Sequence, residues 1–358
     1  MGEHSRLSPS SAYIWANCPG SVSLGRNLAA SAETPEAEEG TRAHEAARIR
    51  LETGVLPPGL PDDMAEHVME FVRFVENTAG GQIFCERRLY ATGVHAEVWG
   101  TCDAYVLDYE HKVARVYDFK YGWGLVEAFE NPQLIAYANG MVNYAGEDWR
   151  FELSIIQPRP RHRLGPARTW RLTASEVRAY GERLRAAALE ALGYNPRAIV
   201  GRHCKYCPAR SVCPALQSAA LDAVELAQQA IPHEMGTLAL GVELSLLTRA
   251  AAMLETRLAG LQGQAMAEIQ RGRPVHGWHI EHVPGRLDWS KPVEEVMALG
   301  KALGVSLAKT PEPVTPTQAK KLGVPAEILA AYAERKSGSA KLVPINTDRA
   351  REAFGEKK

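Results

Sequence analysis

Between residues 83 and 119 the sequence takes on a texture that few architectures accommodate. Four short runs, at 83–90, 96–99, 104–109 and 113–119, are rich in β-branched and aromatic residues and are separated by Gly, Asp or His-Lys breaks. Such side chains suit a pleated, half-buried surface and the breaks supply turns, so the segment predicts a β-meander. Helical patterns flank it. Residues 36–53 are rich in Ala, Glu and Arg and stop at Gly54; residues 62–79 set Met64, Val68, Phe71, Val72 and Val75 on one face. Residues 124–142 read as helix, 151–156 as a buried strand, 157–168 as a basic loop before a short strand, and 175–192 as helix. This order predicts an α/β core with a mixed central sheet flanked by helices.

A chain of 358 residues exceeds one ordinary small domain. We expect a core at 1–217 and a mainly helical accessory extension at 218–358. In the extension, residues 240–270 carry a heptad-like stripe of Leu247, Ala251, Leu254, Leu258, Leu261 and Ala265, expected to pack against the body. Residues 278–283 alternate like a strand, and the segment from Pro311 leads to a charged tail. No apolar run is read as reaching the roughly 20 residues of a membrane helix. The polar N-terminus lacks a signal-peptide core. The expectation is a cytoplasmic protein that uses no membrane.

Charge is balanced overall, 41 Lys+Arg against 42 Asp+Glu, but locally uneven. Arg159, Arg161, Arg163, Arg168 and Arg171 form one acid-free stretch, and Arg197, Arg202, Lys205 and Arg210 another. Such patches suit a phosphate backbone, or simply a solvated surface.

Four local patterns carry chemistry, in one order. His44 lies in the first helical segment. Asp103 follows Gly100-Thr101-Cys102 just before a strand. Asp118-Phe119-Lys120 ends the next strand. Gln133 and Tyr137 sit four apart on the following helix. Phosphodiester hydrolysis calls for hard divalent ions held by oxygen-rich ligands. Asp103 and Asp118 supply carboxylates from adjacent strands, His44 completes the set, and the Phe119 carbonyl is a further ligand. Asp118 and Lys120 share one strand face, which places an ammonium beside the metal. Gln133 and Tyr137 share a helix face and can hold the DNA backbone or the lysine. Each pattern alone also fits a solvated strand edge, a turn or a helix surface; their joint order is the informative feature.

Over residues 40–140 this set resembles the RecB-like branch of PD-(D/E)xK nucleases. The resemblance implies a restriction-endonuclease-like core whose His44, Asp103, Asp118 and Lys120 form a Mg2+ or Mn2+ site cutting DNA. Glu86 stands where that branch often has another acid, and Glu97 is a weaker candidate; a surface strand residue is the alternative for both.

Cys204, Cys207 and Cys213 form a Cys-x2-Cys-x5-Cys run in a basic stretch, and Cys18 is the best fourth ligand. Clustered thiols in a reducing compartment indicate metal rather than disulfides. One upstream cysteine with three downstream is similar to the iron–sulfur nucleases of the same branch, the AddB-type subunits and the four-cysteine CRISPR-adaptation exonucleases. That implies a 4Fe–4S cluster clasping the chain ends of the core; four thiolates serve zinc equally well. His203 is a substitute ligand. Cys85 and Cys102 read as plain buried residues.

The segment from Ser8 to Ser21 and the overall layout also resemble a phage-associated family with this core and a C-terminal extension. The resemblances imply an exonuclease on DNA with free ends or single strands in phage replication or recombination, working with a recombination annealing protein or a helicase. The alternative is a catalytically inactive DNA-binding or assembly protein with a structural four-cysteine site. Trp278, Trp289, Arg271, Arg273 and Arg286 could contact DNA, or simply pack a small domain.

Overall fold

The computed structural model describes residues 5–26, 28, 35–227, 236–282, 287–309, 312–313, 315–335 and 340–344. Two short helices, α1 (Ala12–Trp15) and α2 (Gly20–Gly25), precede α3 (Pro35–Thr53) and α4 (Asp62–Thr78). Three strands follow: β1 (Ile83–Tyr90), β2 (Trp99–Asp108) and β3 (Val113–Phe119). Then come α5 (Pro132–Met141), β4 (Arg150–Ile156), β5 (Ala167–Thr173), α6 (Ala174–Ala191), α7 (Pro214–Ala227) and α8 (Thr237–Gln270).

The five strands lie in sequence order in one mixed sheet. All neighbours run antiparallel except β3 and β4, which are parallel. A parallel pair needs a crossover, and α5 supplies it. Side chains alternate across the sheet, so each face builds its own core. On one face Val116, Leu153 and Ile155 pack with Leu134, Ile135 and Met141 of α5 and Val177 of α6. On the other, Val106, Tyr117 and Phe119 pack with Met64, Val68, Phe71 and Val72 of α4. The expected apolar face of α4 is the one that is buried.

Two expected elements differ. Residues 96–99 are not a separate strand: Ala91 N–H donates to Val98 O at 2.9 Å, closing a turn that feeds β2. The helix expected over 124–142 begins only at Pro132. Proline disfavours helix in the residue before it, and Asn131 caps the start by accepting from the amides of Gln133 and Leu134 at 3.0 and 3.3 Å. Residues 120–131 are therefore loop.

The chain divides into two compact units, Met1–Leu258 and Ala259–Lys358. The boundary expected after residue 217 falls inside the first. The expected stripe of α8 faces outward there: Leu247, Leu254 and Leu258 are 40%, 37% and 52% exposed. The inward face is Ala250, Met253 and Arg257. Met253 packs on the cluster of Cys204, Cys213 and Leu216, and Arg257 donates to the carbonyls of Arg210 and Ser211. α8 is also long and apolar enough to cross a membrane by length and composition, with a mean hydropathy of 1.4 over its best window. Only 6% of that window is buried, so α8 is not a core helix, and length and composition alone are weak evidence for a membrane span.

The second unit holds β6 (Trp278–His282), β7 (Leu287–Trp289), α9 (Val293–Ala302), β8 (Ala308–Lys309), β9 (Glu312–Pro313), α10 (Pro316–Lys321), α11 (Ala326–Tyr332), β10 (Ala333–Arg335) and β11 (Ala340–Pro344). Its strands pair as β6–β11, β7–β10 and β8–β9, around a small core of Val296, Leu307, Ala319, Val324 and Leu329. Trp289 packs against that core, and Arg271 and Arg273 pair with Glu268. Arg286 and the charged tail beyond Pro344 lie outside the described residues.

Candidate active site at a fork in the sheet

The ladder between β2 and β3 ends at Ala104↔Tyr117. Beyond that pair, Phe119 N–H donates to Asp103 Oδ2 at 2.7 Å, so a carboxylate replaces a ladder carbonyl. Lys120 N–H meanwhile donates to Ile156 O at 2.9 Å, keeping the end of β3 with β4. The two strands fork, and the predicted site residues line the fork.

On the α5 side, Asp118 is only 2% exposed. Its Oδ1 accepts from Gln133 Nε2 at 2.7 Å, and its Oδ2 lies 2.9 Å from Lys120 Nζ without a well-formed hydrogen bond. Lys120 Nζ donates to Gln133 Oε1 at 2.9 Å. One amide thus orients both members of the Asp-x-Lys pair. Tyr137 shares that helix face with Gln133, and its hydroxyl donates to Thr101 O at 2.6 Å, bracing α5 against β2.

On the other side, His44 Nδ1 lies 3.2 Å from Asp103 Oδ1, and its ring sits 5.3 Å from that of Phe119. Glu86 joins them from β1. The register pairs Cys85 with Ala104 and Arg87 with Cys102, so Glu86 stands opposite Asp103, with a left-handed backbone of φ +45°. Strain of this kind costs roughly 1–3 kcal/mol and is found where surrounding structure imposes it, often at functional sites. His44, Glu86 and Asp103 each bring a ligand atom within 4.8 Å of the others. The signal for Glu86 in the sequence is an acid on the strand preceding Asp103; its register with Asp103 appears only in the sheet. Glu97 lies outside the group and pairs with Arg6 at 3.1 Å.

The electrostatics reflect crowded negative charge. Burial and the Asp103 carboxylate push Glu86 up to about 7. Burial also raises Asp118, with Asp103 adding to the shift and Lys120 opposing it. Burial works against ionised Asp103 too, but His44, Lys120 and the Phe119 amide outweigh it and hold the group below its ordinary value. His44 and Lys120 are raised: burial alone would lower them, and the neighbouring carboxylates prevail. Three acids with incomplete neutralisation, a histidine and an orphaned oxygen on buried Asp118 fit a hard divalent cation. The fork is open, with the His44 and Lys120 side chains 31% and 26% exposed.

The four expected cysteines come together at the far side of α6. Ile199 N–H donates to Cys18 Sγ at 3.3 Å across 181 residues of sequence, and Gly201 N–H to Cys204 Sγ at 3.4 Å. Cys18, Cys204, Cys207 and Cys213 are all buried and free. His203 Nε2 lies 2.8 Å from Ile199 O, and the ring serves the sulfurs as a charge partner. Its bonds to Cys18 and Cys204 raise it to about 10. Against the upward push of burial, His203 draws both thiols down. Cys207 is pushed up to about 11 by burial and by the other three sulfurs. Among the described residues, no three of these sulfurs lie within 4.8 Å of one another. Bonds of about 2.3 Å to one tetrahedral zinc would bring them to about 3.8 Å. Cys85 and Cys102 are buried in the sheet.

Much of the basic charge is already engaged. Arg159 pairs with Glu39, Arg171 with Glu152 and Arg197 with Glu190. Arg168 is buried beneath the loop after β3. Arg161, Arg163, Arg202 and Lys205 remain exposed.

The solved structure reported as the crystal structure of SSO0001 aligns with 60% of this chain and 89% of its own, at 14% identity and a TM-score of 0.28, a likeness that carries no argument. Residues 4–350 match the family described as "Protein of unknown function (DUF2800)", and the chain belongs to that family.

Proposed function

We propose that this protein is a divalent-metal-dependent deoxyribonuclease with a PD-(D/E)xK core. The observation that carries the reading is the fork itself. Asp118, Lys120 and Gln133 on one side and His44, Asp103 and Glu86 on the other face one opening. His44, Asp103 and Glu86, with Asp118 beside them, would hold Mg2+ or Mn2+. Such an ion polarises a phosphoryl oxygen and acidifies a bound water. Lys120 presents an ammonium held by Gln133, placed to orient the attacking water and to offset charge on the phosphate. Asp118 keeps Lys120 protonated, so the lysine acts as a cation and hydrogen-bond donor. The open fork suits a polymer better than an enclosed small molecule would.

The cysteine site is read as a 4Fe–4S staple. Its four sulfurs are buried and free, and His203 draws those of Cys18 and Cys204 toward thiolate. A protein working on intracellular DNA is cytoplasmic. Its partners are DNA and, by likeness of chemistry, recombination proteins.

The test is anaerobically purified protein on end-labelled single- and double-stranded DNA with Mg2+, Mn2+ or EDTA, beside Lys120→Ala. Metal-dependent cleavage lost in Lys120→Ala supports the nuclease. No cleavage of any DNA by metal-loaded protein overturns it in favour of a DNA-binding scaffold.

A further inference from the structure

The loop from Lys120 to Asn131, expected as helix only from residue 124 onward, exposes three large apolar side chains: Trp123 (66%), Leu125 (55%) and Phe129 (65%). Exposed loops of this kind are usually mobile, but this one is tied from beneath. Gln157, fully buried, donates through Nε2 to Gly122 O and Gly124 O at 2.8 Å each. Its Oε1 accepts from Val126 N–H at 3.1 Å and from Arg168 Nη2 at 2.9 Å. Arg168 is itself buried and donates from Nη2 to Val126 O at 2.6 Å. Two buried polar side chains thus make five bonds to the backbone of three loop residues, Gly122, Gly124 and Val126. Burying such groups is costly unless every bond is made, so the loop conformation is strongly specified.

The indole of Trp123 is supported as well. The Arg159 guanidinium lies 4.3 Å from the Tyr121 ring centre and 4.9 Å from that of Trp123, and Glu39 holds it with two bonds of 2.7 and 3.1 Å. Beyond its chain neighbours, Gly122 has nothing within 4 Å of where a Cβ would stand. Trp123 follows Lys120 by three residues, so the chain places it at most ~11 Å away. A rigid, half-bare aromatic ring backed by a guanidinium and next to a phosphate-cutting site is what an unpaired base needs. Every base offers a π-face, and a paired base inside a duplex does not.

We propose that Trp123 is a stacking platform for an unpaired base of the strand being cut, adjacent to the phosphate held at the fork. The proposal rests on the nuclease reading and names its substrate as single-stranded DNA, or the single-stranded end of a duplex. Arg159 borders the same ledge.

The experiment measures binding of the full-length protein in EDTA by fluorescence anisotropy. The probes are a dye-labelled oligo(dT), an abasic strand of equal length and a blunt duplex; the proteins are wild type, Trp123→Ala and Trp123→Phe. The expected result is that Trp123→Ala weakens oligo(dT) binding by about tenfold, the scale of one lost base stack, with abasic and duplex binding unchanged. Trp123→Phe retains most of the affinity. Equal oligo(dT) binding by wild type and Trp123→Ala overturns the platform while leaving the nuclease reading intact, as does an equal loss on all three probes. Wild-type protein that neither binds nor cleaves any DNA overturns both.

Discussion

At the scale of single residues, the site depends on charge placed where it is costly. Glu86 is held near pH 7 by burial and Asp103, well above its ordinary 4.5. A folded-state value above the unfolded one gives stability that is complete below about 4.5 and is lost as pH rises through about 7. A bound cation reverses that loss, so the rise in Tm on adding Mn2+ should be larger at pH 8 than at pH 6. Glu86→Gln should lower Mn2+ affinity by about 10–100-fold, read by calorimetry, while the protein stays folded. Asp108, away from the site, is the opposite case. Burial pushes its carboxyl up, but bonds from the His111 amide and from Arg115 at 3.1 Å prevail and lower it below 3.8. Its contribution is complete above about pH 4 and disappears as pH falls through the lower folded value. Asp108→Ala should cost ~1–2 kcal/mol in urea unfolding, because it removes one of the two carboxylates that hold Arg115 and leaves Glu152 as the other. Asp118 with Lys120 and Gln133 with Tyr137 were legible as pairs, because strand and helix periodicity put each pair on one face. That His44, Glu86 and Asp103 gather beside them was implied only by resemblance, because those contacts join elements far apart in sequence, and the left-handed backbone of Glu86 has no signal in its own neighbours.

At the scale of elements, helices α5 and α6 meet at one small residue. A Cβ on Gly181 would lie 2.2 Å from Asn139 Oδ1, and Asn139 is buried, donating to Ile135 O and Val177 O at 2.9 and 3.2 Å. Alanine gains about 1 kcal/mol of helix preference over glycine. Overpacking of 1–3 kcal/mol and strain on buried hydrogen bonds outweigh it. Gly181→Ala should therefore lower the midpoint of thermal unfolding. The sheet strands and the long amphipathic helices α3 and α4 could be read because period and burial agree there. The loop before α5 could not: residues 124–131 carry helix-compatible side chains, and the conformation is set by Gln157 and Arg168, which are distant in sequence. The buried side of α8 was missed for a related reason. Its leucines form the more apolar stripe, while close packing against the cysteine cluster selected Ala250, Met253 and Arg257.

At the scale of the molecule, the first unit closes on itself where Cys18 meets the segment at Cys204–Cys213. Cys18→Ser should yield protein with depleted metal and a lower unfolding temperature, yet with strand content in circular dichroism close to wild type, since both sheet cores lie away from the sulfurs. That closure also has a temporal side. The ribosome delivers Ile199, the backbone partner of Cys18, 181 residues after it. At ordinary translation speeds the wait is on the order of ten seconds or more, during which the first sulfur has no companions. The sheet, the fork and the loop bearing Trp123 are all synthesised inside that interval. A chain released before residue 213 would carry the fork and the Trp123 loop without their clasp, and metal loading at the cysteines would report which molecules had passed that point.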